Sequence, residues 1–135
     1  MNTAPRVFID TNILFYAYSD DPKRDVAWIC LEGPYHISMQ TLNEFARSAH
    51  RKLGLDWTTI ARITQDTALR AAKVHPLTFD IHHDGIDYAN RYRIGIYDAL
   101  QLSCAVKNGG TLFISEDLHD GMVIEDRLTI RNPFA

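Results

Sequence analysis

Cysteine is scarce in this chain. Cys30 and Cys104 are the only two, they lie far apart, and neither has a second Cys or a His at a metal-binding spacing. The pattern reads as reduced, buried thiols rather than a disulfide or a zinc site. No apolar run approaches the ~20 residues that a membrane span needs, and the start, Met1 to Arg6, lacks the form of a signal peptide, so no membrane association and a cytoplasmic location are expected. Basic charge is not in surplus either: 14 Lys and Arg face 17 Asp and Glu, for a net charge of −3. That argues against coating nucleic acid by bulk electrostatics, while a local basic groove, or nucleic acid held through metal ions, stays open. Internal repeats, low-complexity tracts and Pro/Gly/Ser-rich linkers are also missing. What remains is an ordinary globular composition over 135 residues, 46% hydrophobic and 23% charged, read as one domain spanning 1–135.

Short apolar stretches alternate with helical periodicity. Val7 to Ile9, Tyr35 to Met39 and Thr111 to Ser115 read as buried strands, and Leu128 to Ile130 as an edge strand. Helices are expected over Ile13 to Tyr18, around Val26 to Leu31, from Thr41 to Leu53 with Gly54 ending it, from Trp57 to about Lys73, and from Ile81 to about Tyr92 behind an Asp80 cap. The segment from Asp98 to Val106 is apolar on nearly all sides, which makes it a central helix ended by Asn108-Gly109-Gly110. The fold class is therefore α/β around a mainly parallel sheet of about four to five short strands.

In open α/β sheets, ligands bind beyond the carboxyl ends of the strands. Acids stand at those places: Asp10 after the first strand, Glu44 soon after the second, Glu116-Asp117 after the third, and Asp98 at the head of the central helix. Four carboxylates on one rim repel one another unless a cation or a proton intervenes, and an all-oxygen set without Cys or His suits Mg²⁺ or Mn²⁺. Each acid also has a plain structural reading. Asp10 and Asp98 can cap helices, Thr41 with Glu44 matches a capping box, Asp98 with Gln101 makes a similar pair, and Ser115 to Asp117 can be a polar turn.

Taken together, "VFIDTNIL", "TLNEFAR", "YDALQLSCAVKNG" and "TLFISEDL" resemble the four motifs of the PIN-domain nucleases, in that family's order and at its usual separations. The VapC-type toxins of type II toxin–antitoxin pairs are the most similar branch. The resemblance covers almost the whole chain, including "IRNPF" near the end. It implies a three-layer α/β/α sandwich and metal-dependent hydrolysis of RNA. It puts the metal-binding, catalytic carboxylates on Asp10, Glu44 and Asp98, with Asp117 as the fourth member. Thr11 and Asn12 match the small polar residues that support the first Asp. Ser115 stands where the family often has Thr, and Glu116 or Asp120 are alternatives for the fourth acid. An antitoxin partner and a homodimer are further implications.

A metal-activated water would leave 5′-phosphate and 3′-hydroxyl ends. Setting the four acids aside as ligands turns −3 into +1, and Arg47 and Arg51, on approximately the helix face of Glu44, are candidates for flanking phosphates. Their plain reading is as solvated arginines or salt-bridge partners. Phe15, Tyr16, Tyr18 and Trp57 are candidates for base stacking, with at least one of Tyr16 and Tyr18 exposed or facing a dimer partner. Rival readings are a histidine ribonuclease built on His82-His83 or on His50 with His119, a phosphatase or DNA nuclease using the same acids, and a catalytically silent PIN-like module that binds RNA or protein. Adjacent histidines on a helix point about 100° apart, which disfavours the first pair, and the presence of all four acids disfavours the silent module.

Overall fold

The computed structural model describes residues 4–135. In chain order its elements are β1 (Val7–Ile9), α1 (Thr11–Ala17), α2 (Arg24–Cys30), β2 (His36–Ser38), α3 (Met39–Lys52), α4 (Trp57–Arg70), β3 (Lys73–His75), α5 (Phe79–Tyr92), α6 (Ile96–Lys107), β4 (Leu112–Ile114), β5 (Val123–Ile124) and β6 (Leu128–Arg131). The strands form one sheet in the order β3-β2-β1-β4-β6-β5. Every pairing is parallel except the antiparallel β5–β6 pair.

Consecutive strand residues point to opposite faces, and the sequence uses both. Ile9, Ile37 and Ile114 join Ile13, Leu14, Phe45 and Ile60 of α1, α3 and α4 in one core. Phe8, Phe113 and Ile130 join Tyr88 of α5 and Ala99, Leu102 and Ala105 of α6 in the other. The sheet is thus the middle of three layers, as expected. The central helix also stands where expected: α6 is buried from Ala99 to Ala105.

Two strands were not anticipated, so the sheet has six strands rather than four to five. The helix expected to reach Lys73 stops at Arg70, because Ala71 turns extended (ψ 145°) and the Ala72 amide donates to Tyr35 O at 2.7 Å. That bond lays β3 beside β2. The second addition, β5, folds back on β6 through Glu125 and Asp126, both at positive φ (55° and 54°). Such hairpin turns are usually signalled by Asn-Gly or Asp-Gly, which this chain lacks there. With β5 outside it, β6 is an inner strand and not the expected edge.

Helix starts differ in a way that bears on the site. Ser38, not Thr41, caps α3, accepting from the Thr41 amide at 3.3 Å. Thr78, not Asp80, caps α5. Gly95 stands at the N-cap of α6 without any side-chain cap bond, so Asp98 is not its cap. Asp10 alone among the four acids is an N-cap, taking the Thr11 amide at 2.6 Å.

Candidate active site

Strand β1 has β2 on one side and β4 on the other, so its carboxyl end lies where the direction of sheet winding reverses. This is the usual place for a ligand crevice. Asp10, one residue past β1, is only 2% exposed. Three groups orient it: the Thr11 amide donates to Oδ1, while on Oδ2 the Ser115 hydroxyl donates at 2.7 Å and Asn12 Nδ2 at 3.4 Å. Ser115 takes the Asp117 amide in turn at 3.2 Å, and Asn12 Nδ2 also reaches Asp117 Oδ2 at 3.1 Å. Asn12 thereby ties the ends of β1 and β4 to each other.

Glu44 terminates a relay of donors. Ser38 Oγ lies 3.2 Å from Thr41 Oγ1, which donates to Gln101 Oε1 at 3.0 Å. Gln101 Nε2 donates to Thr11 Oγ1 at 3.1 Å, and Thr11 Oγ1 donates to Glu44 Oε2 at 3.3 Å. Gln40 Nε2 holds the other oxygen, Oε1, at 3.2 Å. Gln101 is 1% exposed. A buried amide is costly unless paired, and here its pairing fixes one carboxylate oxygen in space.

Asp98, half-buried in the first turn of α6, accepts no hydrogen bond among the described residues. The helix N-terminus favours its charge, yet burial, Glu44 and Asp117 together push its pKa up to about 6. Asp10 rises further, to about 7, through burial first and then the charges of Asp98 and Glu44, despite the lowering effect of Ser115 and Thr11. Two carboxyls held against the preference of a protein interior mark a site that a cation would relieve.

Asp10, Asn12, Glu44, Asp98 and Asp117 line a common cleft of about 230 Å³. It adjoins a larger one of about 710 Å³, between α3 and the start of α6, through the shared Glu44, Ser48 and Asp98. Among the described residues no three Asp, Glu, His or Cys side chains are drawn into a closed coordination cluster. An open all-oxygen rim of this sort fits Mg²⁺, which keeps several waters and takes only one or two carboxylates directly. It does not fit a dedicated zinc cage.

The alternatives for the fourth acid are otherwise engaged. Glu116 pairs with Lys23 and accepts from Tyr16 OH, and Asp120 receives the Asn132 amide at 2.8 Å. Arg47 and Arg51 are exposed beside the acids, with Lys52 in the same groove. Neither arginine has an ion-pair partner among the described residues, so the salt-bridge reading of them does not hold. Tyr16 and Tyr18 are both half-buried, against Phe134 and against Trp28 and Phe45 respectively. Trp57 is covered on one face by His50, whose Nδ1 is bound to Leu55 O. No histidine lines either acidic cleft among the described residues. Both cysteines are free.

Sequence reading missed the role of Gln101 and Gln40. Gln101 was legible as the one amide in an otherwise apolar helix, one turn beyond Asp98, and Gln40 as the residue four positions before Glu44.

Among curated proteins none matches the sequence. Several solved structures share the fold. A chain of a toxin–antitoxin complex from Klebsiella pneumoniae superposes with a TM-score of 0.70 at 19% identity, covering 94% of this chain and 97% of that one. VapC20 of Mycobacterium tuberculosis, a toxin that cleaves the sarcin–ricin loop, gives 0.64 at 19% identity over 79% of this chain and 86% of its own. VapBC2 from Rickettsia felis, bound to a DNA fragment from its promoter, gives 0.64 at 14% identity over 93% and 98%. At these identities the likeness is one of fold. In sequence, the family model of the PIN domain matches residues 7–119, from β1 to beyond β4 and through all four acids, and on that match the chain belongs to the PIN domain family.

Proposed function

We propose that this protein is a metal-dependent endoribonuclease and the toxin of a toxin–antitoxin pair. The observation that carries the reading is the convergence of Asp10, Glu44, Asp98 and Asp117 on one cleft, with Asp10 and Asp98 both pushed toward neutrality by burial and by the other acids. In a PIN domain, that constellation has a chemical use.

Asp10, Glu44 and Asp98 would hold the metal, directly or through its waters, with Asp117 as the fourth acid. A bound Mg²⁺ or Mn²⁺ supplies an activated water at neutral pH and charge stabilisation at the phosphate. The chain's own residues do the rest. Ser115 and the Thr11 amide keep both oxygens of Asp10 aimed along fixed directions, Asn12 couples Asp10 to Asp117, and the relay through Gln101 and Thr11 holds Glu44. Arg47 and Arg51 hold phosphates on either side of the cut one. No protein side chain forms a covalent intermediate, so water attack leaves a 5′-phosphate and a 3′-hydroxyl.

Relatives of this fold include toxin–antitoxin complexes, which supports a cognate antitoxin partner here. An Arg or Lys of that partner, inserted among the carboxylates, would silence the site by taking the place of the cation. A homodimer acting in the cytoplasm completes the proposal. No helix among the described residues is long and apolar enough to cross a membrane.

The test is incubation of purified protein with a panel of structured RNAs in Mg²⁺, Mn²⁺ or EDTA, beside Asp10→Asn and Asp98→Asn. Cleavage should need the ion and vanish in both variants. Cleavage by both variants at the parent rate overturns the reading.

A further inference from the structure

Five of the six tyrosines are engaged. Tyr16 bonds Glu116, Tyr18 packs against Trp28 and Phe45, Tyr35 donates to Thr67 O, Tyr88 packs edge-on against Tyr92, and Tyr92 accepts the Glu125 amide. Tyr97 is the exception. Neither its ring nor its hydroxyl has a partner among the described residues, and it is 57% exposed. It lies on the wall of the 710 Å³ cleft, next in sequence to Asp98.

A large aromatic side chain more than half exposed contributes less to folding than a buried one. Its backbone position is nevertheless set, because it sits in the first turn of α6, which is buried from Ala99 to Ala105. Across the cleft, α3 presents Asn43 and Arg47, both exposed and without an ion pair or hydrogen bond among the described residues. The aromatic groups that line the acidic cleft are less available: Lys52 lies over the Phe15 ring, and Tyr16 is half-buried and bonds Glu116. An exposed ring carried on a helical backbone, a free guanidinium and a cleft in the size range of a small-ligand pocket together describe a seat for one nucleotide.

Building on the ribonuclease reading, we infer that Tyr97 stacks on the base beside the scissile phosphate while Arg47 holds a neighbouring phosphate. The cut then falls where one base can be splayed out of its stack. A base inside a duplex has both faces covered by its neighbours and offers none to Tyr97. Stacking on an aromatic side chain tolerates any base, so Tyr97 selects for unpaired RNA, and Asn43 is placed to read the edge of the stacked base.

The test begins by mapping the cleaved step in the parent protein with the RNA panel and Mg²⁺. An RNA carrying 2-aminopurine beside that step, either in a loop or in a full duplex, is then titrated with the full chain in an Asp10→Asn background that prevents cutting. The loop RNA should be quenched by Asp10→Asn alone and with Tyr97→Phe added. With Tyr97→Ala it should bind about 10-fold more weakly and stay bright, and the duplex should show no quenching in any variant. In the cutting-competent chain, Tyr97→Ala should raise KM by about 10-fold with kcat little changed. Parent-like affinity and quenching with Tyr97→Ala overturn the assignment and leave the ribonuclease reading standing. A parent that cuts no RNA in the panel overturns that reading, and this assignment with it.

Discussion

Two buried titratable clusters lie on this sheet, and they treat charge in opposite ways. One is the acidic rim around Asp10. The other is a histidine pair: His36 Nδ1 lies 2.9 Å from His75 Nε2, the two rings stack, and Phe8 stacks on both with centroids 5.2 Å apart. His75 is 3% exposed, and its Nδ1 is buried with no partner at hydrogen-bond geometry among the described residues. Burial, then His36, Lys73 and Arg6, lower its pKa to about 4. Both clusters are pushed toward neutrality by burial, but the rim gathers several acids on one cleft with donors aimed at Asp10 and Glu44, whereas His75 is closed in and only His36 borders a separate groove of about 410 Å³. The histidine pair is filled in by a ring and behaves as core. Buried ionisable groups become a candidate site where a cleft leaves room for a ligand that would stabilise the charged form.

Neutralising the rim should have the largest effect. Asp10→Asn keeps the cap and its shape but removes the charge, and should lower RNA cleavage by about 10²- to 10³-fold or more. In single-turnover assays, His75→Phe should stay near the parent rate. If His75→Phe were as damaging as Asp10→Asn, the contrast between the clusters would fail.

Next comes the support of Glu44. Gln101→Ala breaks the relay between Thr41 and Thr11, and a loss of about 10- to 100-fold in metal affinity or activity is expected of such a supporting residue. Calorimetric titration of Mg²⁺ into the variant would read it directly. Unchanged affinity and unchanged cleavage would reduce the relay to core packing.

The third prediction concerns pH and carries opposite signs for the two clusters. Asp10 and Asp98 bind their protons more tightly folded than unfolded, with pKa values raised from 3.8 to about 7 and about 6. In chelator, their contribution to stability is complete below about pH 3.8 and is lost as pH rises through about 6 and about 7. His75 is lowered from 6.5 to about 4, so its contribution is complete above about pH 6.5 and is lost as pH falls toward about 4. Thermal melts in EDTA should show Asp10→Asn gaining most over the parent above neutral pH, and His75→Phe gaining below pH 6.5. Parallel curves for parent and Asp10→Asn across that range would contradict the raised value.

The smallest effect belongs to the rim's border. If Arg47 and Arg51 each hold a phosphate, replacing both by Ala should reduce the log–log salt slope of single-stranded RNA binding by about 1.4. An unchanged slope would return both to the solvated surface.

How much of this was legible in the sequence depends on the reach of the interactions concerned. Strand β1, helix α6 and the acid after each of β1 and β4 follow from local patterns: a short apolar run, an apolar helix ended by glycines, and polar residues at the break. Helix caps were legible only in part. Ser38 and Thr41 are both plausible N-caps by residue type, and the choice between them is made by where β2 ends. Strand β3 was hidden because Lys73 to His75 has no strand signature of its own. It exists because Ala72 bonds Tyr35, 37 positions earlier in the chain.

By itself the sequence determined the α/β class, the two-faced alternation that gives the sheet a core on either side, and the placing of acids at the ends of strands, since each depends on residues only a few positions apart. Tertiary structure alone decided which of those acids share a cleft. It paired Glu116 with Lys23 and Asp117 with Asn12, gave Gln101 to Glu44, and left Tyr97 without a hydrogen-bond or ring partner among the described residues. Those outcomes depend on contacts between segments as much as 105 positions apart, which become neighbours only because β1 and β4 pair side by side at the middle of the sheet.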